Sequence, residues 1–496
     1  MMTKKKKTII IIIAIVLVLL IAAGAAFAFW WFSDDNETRR KKKKVVIIKK
    51  NPSSNTEVID DGDYDFDDTY TEEDEEYYES VRRELYQKTD NNVLNYVPEY
   101  KVTPQKWDGP KGYVIVIPEG DKYSKQYAEK IQKYFEKYAN IKLDIVTDRK
   151  KEQKKEILVG NTNRYKSSLV ENEYAVKLSG DKLIFEGGHY AMLGKAVDWF
   201  VTEKYTAGEA NALTGKTKDF AATKEGGYKY VWGDEFAGAE INGTKWQFAN
   251  RMAGSALLET RTDKEVANVG QDNLRLRAIR SYRKENPVAQ YATSQSLCTM
   301  KTMSFMEGYL EMSARVPFIS GAWPSLWANS NGAYKNDKNK PYTIEVDIFE
   351  VFSSVDTLIP NIHKWRGLDT PSQYNTDHIV DGERVPATSY VFENTDNLSN
   401  EYHVYGFKWN SKSMTMSVDG KDYMTFDLTK DFDNQDGMEG FKVPISILIN
   451  NHMFAPDIDL INGASIVNNL DLPFEYDIDW IRLYQIPGQG VLNVAE

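Results

Sequence analysis

From residue 226 to the C-terminus the sequence consists of short runs in which apolar and polar residues alternate, and this period of two commits that half of the chain to β-sheet. Residues 309–316 show it plainly: Leu310, Met312, Ala314 and Val316 face one way, Glu311, Ser313 and Arg315 the other. Tyr, Trp and Phe fill many of these runs, and no long helical pattern interrupts them. Their regular spacing predicts a two-sheet sandwich of jelly-roll type. Such a sandwich accounts for only about half of the 496 residues, so a second folded unit is expected.

That unit is legible between residues 101 and 222. Residues 114–117 form a short apolar run ending at Pro118, and Tyr127, Ile131, Tyr134, Phe135 and Tyr138 follow at helical spacing. Further strands are expected at 143–146, 156–159, 174–178 and 182–185, the last two split by Ser179-Gly180-Asp181. A second helix carries Leu193, Ala196, Val197, Phe200 and Val201 on one face. The pattern is that of a small α+β domain.

The N-terminal hundred residues read differently. Residues 8–32 are apolar or small throughout, longer than the roughly 20 needed to cross a bilayer, and they follow the basic tail 1–7. A cleaved leader has an apolar stretch of only about 7 to 15 residues, so a retained transmembrane anchor is expected. The Ala25-Ala26-Phe27-Ala28 stretch would suit cleavage and secretion instead. A second basic cluster at 39–44 divides the positive-inside signal. Within the linker 33–100, residues 51–80 are rich in Asp and Glu without a helical or strand period, which predicts an extended, self-repelling stalk.

The single Cys298 excludes an internal disulfide, so the fold must rest on its core. A net charge of −11 disfavours nucleic acid or a polyanion as the partner. A monomer is expected.

The most informative run is Ile344-Glu345-Val346-Asp347-Ile348-Phe349-Glu350. In a regular strand Glu345 and Asp347 project from one face, and strict alternation would bury Glu350 in the core, which is costly for an unpaired carboxylate. One extra residue between Asp347 and Glu350, a β-bulge, returns Glu350 to the acidic face. Four strand steps span on the order of 13 Å, and two glutamate arms reaching inward close this to roughly 5 Å, the separation used in retaining glycoside hydrolysis. The charge of Asp347 should raise the pKa of Glu350. Trp323, Ser325 and Trp327 share one face of a neighbouring run, and aromatic faces stack on sugar rings, although either Trp would serve equally as core.

These residues, with others in the same order, resemble glycoside hydrolase family 16, the laminarinase and lichenase family. The resemblance runs through Val231-Trp232-Gly233-Asp234-Glu235-Phe236, Trp246, the stretch 308–327, the pattern Glu345, Asp347, Glu350, then Asn361-Ile362-His363, 402–409 and 476–485. It implies a concanavalin-like β-jelly roll over 226–487, endo-acting retaining cleavage of β-1,3- or mixed β-1,3-1,4-glucan outside the cell, and no required cofactor. It also implies Glu345 as nucleophile, Glu350 as general acid/base and Asp347 in support. Asn250, Trp323 and His363 become candidate glycan contacts, with His403 structural. A structural calcium, carried by many members, would here draw on Asp479 and Glu235. The sequence departs from the family pattern at Ser313, where Arg is usual, and at Asn450-Asn451-His452-Met453, where a small, Gly-rich stretch is usual. Both departures bear on substrate choice, leaving laminarin-type, mixed-linkage and galactan substrates open, as well as transglycosylation and a purely carbohydrate-binding role. Residues 157–164 resemble the α+β domain that precedes the catalytic domain of hexosaminidase-like and α-glucuronidase-like hydrolases, which implies an accessory role or a spacer.

Overall fold

The computed structural model describes residues 100–495 except 203–207, 218, 239, 251–256, 271, 282–285, 287, 320, 331–333, 336–340, 352–357, 367–377, 381–382, 386–397, 399–400, 430–440 and 455–471. The expected anchor at 8–32 and the stalk lie outside these residues. Among the described residues no helix is long and apolar enough to cross a membrane.

The first unit runs β1 (Tyr100–Trp107), β2 (Val114–Ile117), α1 (Lys122–Ala139), β3 (Ile145–Thr147), β4 (Glu156–Val159), β5 (Glu173–Ser179), β6 (Lys182–Gly187), α2 (Tyr190–Thr202) and β7 (Gly208–Lys216). The strands form one mixed sheet in the order β1-β7-β5-β6-β4-β2-β3. Helix α1 starts where the Asp121 carboxylate accepts hydrogen bonds from the main-chain N–H of Tyr123 and Ser124, and it ends at Asn140 in the left-handed conformation. Its apolar stripe buries Ile131, Tyr134 and Phe135 against the Leu193, Ala196, Val197 and Phe200 face of α2 and the sheet. Tyr138, assigned to that stripe by spacing, is instead 53% exposed beyond the end of the packed face.

The second unit follows in chain order as β8 (Lys229–Asp234), β9 (Gln247–Ala249), β10 (Leu258–Arg261), β11 (Ala267–Val269), β12 (Leu274–Arg280), β13 (Tyr291–Ser294), β14 (Ser296–Cys298), β15 (Met303–Met306), β16 (Gly308–Arg315), β17 (Ala322–Ser330), β18 (Tyr334–Lys335), β19 (Pro341–Glu350), β20 (Ile359–Arg366), β21 (His378–Val380), β22 (Glu383–Val385), β23 (His403–Trp409), β24 (Ser413–Val418), β25 (Lys421–Asp427), β26 (Ile445–Met453), β27 (Phe474–Gln485) and β28 (Val491–Val494). One sheet has the path β10-β13-β12-β27-β16-β23-β24-β25, with β8 and β11 joined to it. The other has the path β18-β19-β17-β26-β14-β9, with β15, β20 and β28 joined to it. Leu310, Met312, Ala314 and Val316 of β16 meet Leu326, Ala328, Ile344, Val346, Ile447 and Ile449 of the facing sheet in one continuous core, as expected of a jelly-roll sandwich.

The α+β domain packs against the sandwich. Tyr230, Tyr309 and Tyr484, on the outer face of the sheet that contains β16 and β27, belong to the apolar core of the α+β domain. Lys195 of α2 pairs with Asp272 at 3.3 Å, both nearly buried, and the Tyr174 hydroxyl donates to the same carboxylate at 3.4 Å. Lys224 reaches Glu311 at 2.8 Å. The outward face of β16 is therefore a domain interface. Ser313 lies on that face, with its sheet turned away from Glu345, so this departure from the family pattern does not touch the cleft.

Candidate active site

The strand β19 carries the irregularity that its sequence demands. Against β17 it pairs Glu345 with Asn329, Asp347 with Trp327 and Glu350 with Ser325, and the register slips between Leu326 and Trp327. Against β20 it slips between Asp347 and Glu350. Six positions of β19 therefore span five of β17. Ile344, Val346, Ile348 and Phe349 all enter the core, while Glu345, Asp347 and Glu350 share the opposite face.

Each carboxyl has a distinct partner. The Glu345 Oε2 accepts from Asn329 Nδ2 at 3.4 Å. Asp347 Oδ2 lies 2.9 Å from His363 Nε2, which is 4.0 Å from Glu345 Oε1. Glu350 Oε1 accepts from Trp323 Nε1 at 2.9 Å. Burial, and next the negative charge of Asp347, push Glu345 and Glu350 up to about 8 each. Burial alone pushes Asp347 up to about 8, and burial, opposed by the charges of Glu345 and Glu350, holds His363 below its ordinary value. The influence of Asp347 on Glu350 has the expected sign, with burial the larger cause. Once one proton leaves, the new charge holds the remaining protons more tightly, so the first ionisation leaves one anion beside protonated neighbours. The donor atoms of Glu345, Asp347 and His363 lie within 4.8 Å of one another, close enough to share a proton or bind a cation.

The raised values have a stability consequence. Between the unfolded carboxyl range near 4 and the folded value near 8 the native state binds more protons than the unfolded one, so this cluster loses stability as pH rises through that window. Asp347→Asn is expected to raise the melting temperature at pH 8 by a few degrees and to change it little at pH 4. Equal shifts at both values, read by calorimetry, would remove the electrostatic explanation.

The remaining candidates fall into place around this strand. Trp323 is partly exposed and stacks on Phe454, with ring centroids 5.2 Å apart and planes at 8°. Trp327 is mostly buried against Cys298 and Leu448, and its indole N–H donates to Asn450 Oδ1 at 2.7 Å, so it is part of the cleft floor more than a sugar platform. Asn450 also donates from Nδ2 to the Trp323 carbonyl at 3.3 Å, a link between strands that no local pattern of residues announces. Asn250 is exposed just after β9, four strands from β19 in the sheet path, roughly 19 Å along the sheet and outside reach of the carboxyl trio. His403 pairs with Asp419 at 2.7 Å, in keeping with a structural role.

The expected calcium ligands part company. Both Glu235 oxygens accept from Arg482, at 2.9 Å each, and the pair is buried. Burial opposes ionisation of Glu235, but the guanidinium outweighs it and holds the carboxyl below its ordinary range. A protein cation already satisfies this carboxylate, which removes Glu235 from the expected set, while Asp479 stands half-buried on β27.

Residues 257–452 match the family model described as Glycosyl hydrolases family 16. The chain carries a glycosyl hydrolase family 16 domain. The matched span includes β19 and, on the far side of β17 in the same sheet, β26 up to His452. The chain is 23% identical over 313 residues to the keratan-sulfate endo-1,4-beta-galactosidase of Sphingobacterium multivorum, covering 60% of this chain and 66% of that protein. It is 23% identical over 277 residues to the glucan endo-1,3-beta-glucosidase A1 of Niallia circulans, covering 52% of this chain and 38% of that one. It thus spans less than two thirds of the length of either relative. The laminarinase structure from Rhodothermus marinus is 21% identical with a TM-score of 0.38, over 52% of this chain and 97% of that one. The family 16 domain sits within the larger sandwich, whose strands extend beyond both ends of the matched span.

Proposed function

We propose that the family 16 domain is an endo-acting, retaining glycoside hydrolase that cuts a neutral β-linked polysaccharide, a β-1,3- or mixed β-1,3-1,4-glucan, outside the cell, tethered there through residues 8–32. The observation that carries this reading is the bulge in β19, which sets Glu345, Asp347 and Glu350 on one face with Trp323 bonded to Glu350. In the first step the Glu345 carboxylate forms a bond to the anomeric carbon as the glycosidic C–O bond breaks and Glu350 gives its proton to the departing oxygen. In the second, Glu350 takes a proton from water as the water oxygen bonds to the anomeric carbon and Glu345 leaves. Asp347 and His363 hold a proton beside Glu345. The chemistry needs no metal.

A β-galactan is the second reading, supported by the likeness to a galactosidase and by Asn450 and His452 on the cleft strand β26. The net charge of −11 weighs against a sulfated polymer. Incubation of the purified protein with laminarin, mixed-linkage glucan, β-1,4-glucan and unsulfated galactan, followed by reducing-end assay and product sizing, tests both. Oligosaccharides from the first two support the glucanase reading; release from galactan alone transfers the assignment. Binding without release would leave a carbohydrate-binding protein.

A further inference from the structure

The role of Trp323 goes beyond contact with a sugar. Its indole N–H points at Glu350 Oε1 at 2.9 Å, and its ring is held by two neighbours at the end of β26: stacked on Phe454 at 5.2 Å, and against the buried His452 with centroids 5.7 Å apart and planes at 57°. In the register of the sheet Trp323 stands opposite His452, and Ser325 stands between Glu350 on one neighbour and Asn450 on the other. Asn450 adds a hydrogen bond to the Trp323 carbonyl. Ring, main chain and N–H are all fixed by neighbours, so the donor cannot turn away from Glu350 without unstacking.

We propose that Trp323 is a positioning residue for the acid/base carboxyl: its N–H occupies Oε1 of Glu350 and thereby confines the transferable proton to Oε2. This rests on the hydrolase reading above. An oxygen that accepts a hydrogen bond from an indole is disfavoured as the protonated oxygen, because the carbonyl oxygen of a protonated carboxyl is the better acceptor and the O–H oxygen the poorer one. The same bond favours the carboxylate form that the second step needs as a base. It therefore opposes the upward push that burial and Asp347 exert on Glu350. The other titratable groups facing Glu350 among the described residues are Glu345 on β19, His363 on β20 and His452 on β26, and burial pushes His452 down to about 3, leaving it neutral. Phe454 and His452 act one step further out, by holding the indole.

The test is Trp323→Phe in the full chain, which keeps the aromatic ring and removes the N–H. The alkaline limb of the kcat/KM profile should move up by about one pH unit, with kcat falling about tenfold and KM changing less than about threefold. A raised KM with an unmoved limb would make Trp323 a sugar platform only and overturn the proposal. Phe454→Leu, which loosens the ring but keeps the N–H, should move the limb in the same direction by less; an unmoved limb there would remove the role given to the stack. A carbon-13 NMR titration of the Glu350 carboxyl, assigned with Glu350→Gln, separates this proposal from the hydrolase reading. A raised Glu350 pKa in Trp323→Phe supports the positioning role even if no glycan is cut. An unchanged titration contradicts it even in an active enzyme.

Discussion

Glu345→Gln is expected to lower turnover of the preferred polysaccharide by on the order of 10⁴-fold or more, the scale of loss when a covalent nucleophile is removed. The amide preserves the shape of the side chain and can still meet Asn329, so the fold and glycan binding should persist. Glu350→Gln should differ in kind. Without its acid, the first step fails for a sugar leaving group but proceeds for an activated aryl glycoside that needs no protonation, and the intermediate then waits for a base that is absent. Initial rates on polysaccharide and aryl glycoside, with both variants beside the parent, read this contrast. If the two variants lose activity equally on both substrates, the division of roles between Glu345 and Glu350 is wrong.

The largest expected effect on stability lies far from the cleft. Glu235→Ala strands the Arg482 guanidinium, which is fully buried, donates also to the Asp219 carbonyl at 3.0 Å and lies over the Trp480 ring at 3.7 Å. Breaking one side of a buried pair costs about 3–5 kcal/mol, a fall in melting temperature of at least roughly 6 °C for a unit of this size. Replacing both partners, Glu235→Ala with Arg482→Met, should recover much of that loss, because no uncompensated charge remains. The ionised Glu235 contributes in full above the unfolded carboxyl range, and the contribution fades as pH falls through its lower folded value. Asp219 and Phe220 belong to the connection from the α+β domain, so the loss should loosen both units in one transition. Two separate transitions, or a double variant no more stable than the single one, would contradict this account.

The carboxyl trio was legible because one residue too many broke an otherwise clean alternation, and burying a carboxylate costs too much for any arrangement but a bulge. Both helices were legible from spacing, as a packed stripe must repeat every three or four residues. The strand β7 was not: Gly208–Lys216 is rich in Gly, Ala and Asn, and its strand form comes from pairing with β1 and β5. The docking of the two domains escaped for a related reason. Tyr309, Glu311 and Ser313 alternate with core positions as a solvent-facing row would, and nothing local announces that another domain covers that row. The family resemblance put Glu235 in the calcium set, and its actual partner escaped because Arg482 lies 247 residues away, brought near by the pairing of β8 with β27. The bond from Trp323 to Glu350 likewise depends on cross-strand register, which a period of two does not fix.

In the proposed mechanism Glu345 bonds covalently to the sugar. Incubation with 2-fluoro glucosyl and galactosyl donors bearing a good leaving group, followed by intact-mass and peptide mass spectrometry, tests it most directly. One added glycosyl unit is expected, carried by the peptide that contains Glu345 and absent in Glu345→Gln. An adduct on another residue, or inverted products from an enzyme that turns over freely without forming any adduct, would contradict it.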